Sequence, residues 1–134
     1  MRSLRQILAI TWALPWSILG ATVGAVGLAA RRAGVRRCGR TLEFYGPPIA
    51  WLLARLPNRP AAMTLGHVIL GRSAAALDRC RRHEQVHVGQ YERWGPFLVP
   101  AYLLCSARAW LAGADPYWDN PFEREAFERT GGEP

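Results

Sequence analysis

His83-Glu84-Gln85-Val86-His87 lies inside a run, residues 73–94, that reads as helix from end to end. Ser73 is placed to cap its start, Ala74, Ala75 and Ala76 are strong helix formers, and Gly95-Pro96 stops it. Leu77, Cys80, Glu84, His87, Tyr91 and Trp94 recur every three or four residues, the period of one helical face. On such a helix His83 and His87 project from the same side, so both imidazoles can reach a single metal ion. Glu84, beside the first candidate ligand, can then reach a water on that ion and act as its base. Gln90 follows His87 by about a turn, where it can orient a ligand or touch a substrate. The competing reading is a surface helix with two unrelated histidines, and a third ligand decides between them.

Zinc sites that do chemistry take three protein ligands and leave a fourth position to water. Asp119-Asn120-Pro121-Phe122-Glu123-Arg124-Glu125-Ala126 supplies candidates. Asn120 reads as an N-cap and Pro121 as the first helical residue, which puts Glu123 in the first turn of a second helix. Glu123 is the candidate third ligand and Glu125, on a different face, the alternative. Asn120 and Glu123 also have the spacing of a capping box, so Glu123 can instead close its own helix.

H-E-x-x-H followed by Glu123-x-x-Ala126 resembles the gluzincin metallopeptidases, in which an E-x-x-A element supplies the third zinc ligand. The resemblance covers residues 83–126. It extends to small bacterial membrane-associated zincins with an H-E-x-x-H-x-x-Q helix, matched here by Gln90. It implies Zn²⁺ held by His83, His87 and Glu123, Glu84 as catalytic base, and a peptide or protein substrate. One membrane-bound subgroup carries Asp directly after the alanine; here Phe127 stands there, which removes a partner for a histidine ligand.

The charge is unevenly spread. The chain has 134 residues and a net charge of +7, all of its basic residues being arginine. Arg2, Arg5, Arg31, Arg32, Arg36, Arg37 and Arg40 precede Thr41 with no acid among them, while the other ten arginines are matched by ten acids. The region around the histidines is therefore neutral. No cluster of arginines interleaved with aromatics marks a nucleic-acid surface, so nucleic acid is not expected as a partner.

Residues 7–30 carry no charge and include Trp12, Pro15 and Trp16. At about 1.5 Å per residue this run can cross a hydrocarbon core of about 30 Å, so a transmembrane helix is expected, with a cleaved signal peptide or a buried core helix as the alternatives. Five arginines follow the run and two precede it, which by the positive-inside rule places the later chain in the cytoplasm. Three cysteines, Cys38, Cys80 and Cys105, lack metal-binding spacing and fit a reducing compartment. The expectation is a single-pass protein of a bacterial inner membrane, in contact with membrane lipid.

Between anchor and motif, Thr41-Leu42-Glu43-Phe44-Tyr45 reads as a strand, residues 49–56 as a short helix, and Met63-Thr64-Leu65-Gly66-His67-Val68-Ile69-Leu70 as a second strand. His67 lies in that second strand and is a further candidate for the site. After the motif, residues 101–111 read as a helix that packs on the domain or dips into the lipid interface. The fold expected is α+β, mainly helical: an anchor over 1–40, then a minimal zincin-like domain over 41–134 with a small sheet and the H-E-x-x-H helix. The function expected is membrane-anchored, zinc-dependent hydrolysis, with a non-catalytic zinc-stabilised membrane protein as the alternative.

Overall fold

Strands β1 (Gly34–Cys38), β2 (Thr41–Tyr45), β3 (Ala62–Leu65) and β4 (Val68–Gly71) form one mixed sheet in the order β1-β2-β4-β3. The computed structural model describes residues 1–132. β1 and β2 are an antiparallel hairpin, β2 runs parallel to β4, and β4 returns antiparallel to β3. The parallel pair needs a crossover, and its helix is α2 (Pro47–Leu53), opened by two prolines where an N–H would have no partner anyway. Side chains alternate across the sheet. Phe44, Val68 and Leu70 face α1 (Leu4–Ala29) and α2, with Ile49 and Leu53. Ala62 and Ile69 face α3 (Ala74–Trp94), against Leu77, Cys80 and Val88. A 3₁₀ turn at Gly95–Phe97 leads into α4 (Leu98–Leu111), and α5 (Pro121–Arg129) packs across α3.

The expected strand over 63–70 is two strands joined by a tight turn. Gly66 adopts φ +62°, and a Cβ there would lie 2.2 Å from Ser17 Oγ, so no other residue fits. His67 accordingly sits in the turn. β1 was hidden by its arginines, which read as a membrane flank. Arg36 of β1 lies opposite Glu43 of β2 in the hairpin register. Glu43 is wholly buried and accepts from Arg36 Nε at 2.6 Å and from Arg81 Nε and Nη2 at 2.8 and 2.9 Å, while Asp78 bridges both guanidiniums. Burial pushes the Glu43 carboxyl up, but hydrogen bonds and charge from Arg81 and Arg36 outweigh it and hold the group below its usual range. This clamp fixes the hairpin onto α3 and so sets the orientation of the helix that carries His83 and His87. Arg40 is also engaged, with Glu92 at 2.7 Å.

The expectation of an N-terminal transmembrane helix is overturned. Among the described residues no single helix is long and apolar enough to cross a membrane. α1 contains Pro15, which removes a backbone hydrogen bond and crowds the preceding turn, and its two parts, Leu4–Trp12 and Leu14–Ala29, meet at 64°. The second part lies on the sheet through its small residues: Gly20 against Val68 and Leu65, Gly24 against the ring of Phe44. Trp16 Nε1 donates to Pro96 O, and Ser17 Oγ accepts from His67 N. The run meets the sheet through its small residues, while Leu8, Ile18, Leu19 and Val26 remain exposed. A domain boundary at residue 41 would also cut the β1–β2 hairpin.

A pair of glycine substitutions tests this packing. A Cβ at Gly24 would lie 2.3 Å from Phe44 Cγ, whereas one at Gly89 in α3 meets nothing within 4 Å. Gly89→Ala should stabilise by about 0.5–1 kcal/mol through helix propensity alone. Gly24→Ala should instead destabilise by about 1–3 kcal/mol from overpacking. Urea titrations of both variants check the opposite signs, and a stabilised Gly24→Ala would show that α1 is not docked on the sheet.

Candidate metal centre

α3 is set in place at both ends. Ser73 Oγ accepts from Ala76 N at 3.0 Å, and Gly95 ends the helix at φ +55°, where a Cβ would strike the Trp12 ring. Between these caps, His83, Glu84, His87, Gln90 and Tyr91 all face inward. α5 is positioned by Asn120, whose Oδ1 accepts from Phe122 N while its Nδ2 donates to Tyr102 O and Ser106 Oγ of α4. The capping-box alternative for Glu123 does not form, since the Asn120 N–H goes to Tyr117 O. Glu123 turns instead toward α3.

His83 Nε2 lies 3.0 Å from Glu123 Oε2, His87 Nε2 lies 3.3 Å from the same oxygen, and the two Nε2 atoms are 3.1 Å apart. Exposures are 3 % for His83, 9 % for His87 and 5 % for Glu123. These three residues form a buried group that could hold a metal ion, as the sequence expected for His83, His87 and Glu123. The tautomer of His87 follows from its neighbours. Gln90 Nε2 donates to Phe122 O and to Glu125 Oε2, so its Oε1 faces His87 Nδ1 at 2.8 Å. Nδ1 therefore carries a hydrogen, and in the neutral ring Nε2 is the nitrogen whose lone pair faces the group. Burial pulls the His87 imidazolium down, but the Glu123 hydrogen bond and the charges of Glu84 and Glu123 outweigh it and raise the group to about 9. Burial raises Glu123, yet hydrogen bonds from His83 and His87 pull its carboxyl far below the ordinary range.

Glu84 is buried and reaches back to the sheet, where its Oε2 accepts from Thr64 Oγ1 of β3 at 2.6 Å. Glu84 makes no ion pair with arginine among the described residues. Gln90 acts on His87 as described, so its expected orienting place is occupied. Glu125 does not join the metal group: its Oε1 pairs with Arg93 at 2.6 Å and Arg129 at 3.0 Å, and its Oε2 meets Gln90. His67 does not join it either. Its Nε2 lies 2.9 Å from Glu92 Oε1, an oxygen shared with Arg40.

Several neighbours escaped the sequence reading. Tyr102 Oη donates to Glu123 Oε1 at 2.8 Å, which leaves Oε2 for the histidines. Burial, then the Glu123 charge, raises the Tyr102 phenol far above its usual range, so it stays a donor. Phe127 packs edge-on against His83 with centroids 4.6 Å apart, and Trp118 stacks on Phe127 at 4.8 Å. His83 Nδ1 is buried and has no hydrogen-bond partner among the described residues. Tyr91 Oη donates to Thr64 O, so the edge strand β3 already has one outward carbonyl engaged. No sequence periodicity links Tyr102 to Glu123 or Trp118 to Phe127, because each contact joins separate segments, α4 or the α4–α5 connection to α5. Thr64 was findable: in a strand of period two it must face α3 together with Ala62. No family model, curated protein or solved structure matches the chain.

Proposed function

We propose that the protein is a zinc-dependent hydrolase acting on peptide bonds. The observation that carries this reading is the spacing of His83 Nε2, His87 Nε2 and Glu123 Oε2, 3.0, 3.1 and 3.3 Å apart. Ligands at about 2.0–2.1 Å from a tetrahedral zinc stand about 3.3 Å from one another, so three corners fit and the fourth is left to a reactant. Two imidazoles and one carboxylate suit zinc better than calcium or magnesium, which favour oxygen alone. The likeness of His83 to Ala126 to the gluzincin motifs supports the same assignment. Held by His83, His87 and Glu123, zinc would polarise a carbonyl and lower the pKa of a water to about 7.

Protein groups supply the remaining chemistry. Glu84 holds one carboxylate oxygen on Thr64, and its Oε1 has no partner among the described residues. Oε1 takes a proton from the attacking water and passes it to the departing amine. Gln90 and Tyr102 keep His87 and Glu123 in the states that bind metal, one through a tautomer and the other through a single oxygen.

A second reading has its own support. Phe127 packs on His83 and is backed by Tyr117 and Trp118, so aromatic side chains cover one side of the centre. On this second reading zinc stabilises a small domain whose task is partner binding. The test is metal content of the purified full chain, with hydrolysis of a peptide library before chelation, after it, and after zinc is restored. About one zinc per chain is expected, with hydrolysis lost on chelation and regained with zinc. Tightly bound zinc without hydrolysis would favour the structural reading, and a chain that takes up no zinc would end both.

A further inference from the structure

The outward face of α4 is inverted for a helix meeting water. Leu104, Trp110 and Leu111 are 62 %, 69 % and 77 % exposed, while Tyr102, Cys105 and Ser106 turn toward the domain. Phe97, in the turn before α4, continues this face and touches Trp12 with ring centroids 5.9 Å apart. Trp12 belongs to the first part of α1, which exposes Leu8 beside it. The two helices thus present one joined apolar surface, larger than scattered exposed leucines explain. Leu98 is the sole residue of α4 that is fully buried.

The charge carried by these two helices has one sign. Neither α1 nor α4 contains an acidic residue. Arg2, Arg5 and Arg108 form no ion pair among the described residues, in contrast to Arg36, Arg40, Arg81 and Arg93. Tryptophan and leucine framed by unpaired arginine is the composition of a surface that settles into lipid headgroups. Two copies meeting through it would bring like charges together, which disfavours self-association.

We propose that the outer faces of α4 and the first part of α1 bind an anionic lipid bilayer, both helices lying in the plane of its surface. The sheet and α3 stay on the aqueous side, since α4 presents Tyr102 inward to Glu123 while its opposite face meets lipid. This attachment does not depend on the hydrolase reading. It replaces a spanning anchor with a surface built from two separate parts of the chain.

Co-sedimentation of the full chain with phosphatidylcholine vesicles, and with vesicles that also contain phosphatidylglycerol, is the test. Three unpaired arginines should favour the anionic vesicles on the order of a hundredfold, an advantage that shrinks as salt rises. Leu104→Glu with Leu111→Glu should weaken that binding about a hundredfold. Both positions are exposed, so circular dichroism and the thermal midpoint should match the parent. Equal binding of both vesicles, or undiminished binding by the double variant, would overturn the proposal. A lipid-free dimer abolished by the same substitutions would assign the surface to a second copy, and a chain that resists carbonate extraction would show insertion deeper than the interface.

Discussion

Glu84→Gln should keep its metal and its fold while peptide hydrolysis falls about 10²–10⁴-fold, the range for loss of a general base. The amide is nearly isosteric and can still accept from Thr64 Oγ1, which holds the carboxylate at 2.6 Å. It cannot take a proton from water. Glu84 is not among His83, His87 and Glu123, the residues that converge, so the ligand set is untouched. Metal analysis and steady-state kinetics on the same preparation separate the two effects. Hydrolysis at the parental rate would remove Glu84 from the mechanism even with zinc in place. Loss of metal along with activity would show that the carboxylate serves the site's structure.

His87→Ala should be the more damaging change. It removes one of three ligands, leaves buried Gln90 Oε1 without its His87 partner, and takes from Glu123 Oε2 one of its two histidine contacts, His83 remaining. A stranded buried acceptor costs about 1–3 kcal/mol, so a destabilisation of about that size is expected before any contribution from metal. With metal the gap widens, because ligand binding stabilises only the parent. Gln90→Ala provides the graded comparison, since losing a ligand's hydrogen-bond partner lowers metal affinity about 10–100-fold. Urea unfolding with and without chelator measures both terms. If His87→Ala retains zinc as tightly as the parent, the three-residue group is not the metal site.

The parts of this architecture that were legible in the sequence depend on local rules. Ser73, Asn120 and Pro121 set helix starts from a few neighbouring residues, and the spacing of His83 and His87 is fixed once the helix forms. Glu123 was legible as a candidate because its distance from Ala126 is a short-range pattern, and the fold then brought it across 40 residues to His83. What could not be read depends on pairing between distant segments. β1 is tied to the domain by Arg36, which bonds Glu43 and, 42 residues on, Asp78, a relation no window around Arg36 contains. α1 was misread for the same reason: a helix that covers a sheet and a helix that crosses a bilayer share their composition. Their difference lies in Gly20 and Gly24, which are small where the sheet comes close, and in the bend at Pro15. Glu125 and His67 bond elsewhere, to Arg93 and Glu92.

The docking of α1 also has a consequence for how the chain is born. Trp16 reaches its acceptor, the carbonyl of Pro96, across 80 residues, and Gly20 and Gly24 wait for Val68 and Phe44. Synthesis runs at about 5–20 residues per second, so about 4–16 s pass between translation of the helix and completion of its seat. For that interval the nascent chain carries an apolar helix with nowhere to dock. Contacts of such long sequence separation also form late in folding, because the loop must close before they return any energy. The segment translated before all its partners is therefore among the last to settle, and its safekeeping on the way falls to whatever meets it outside the ribosome.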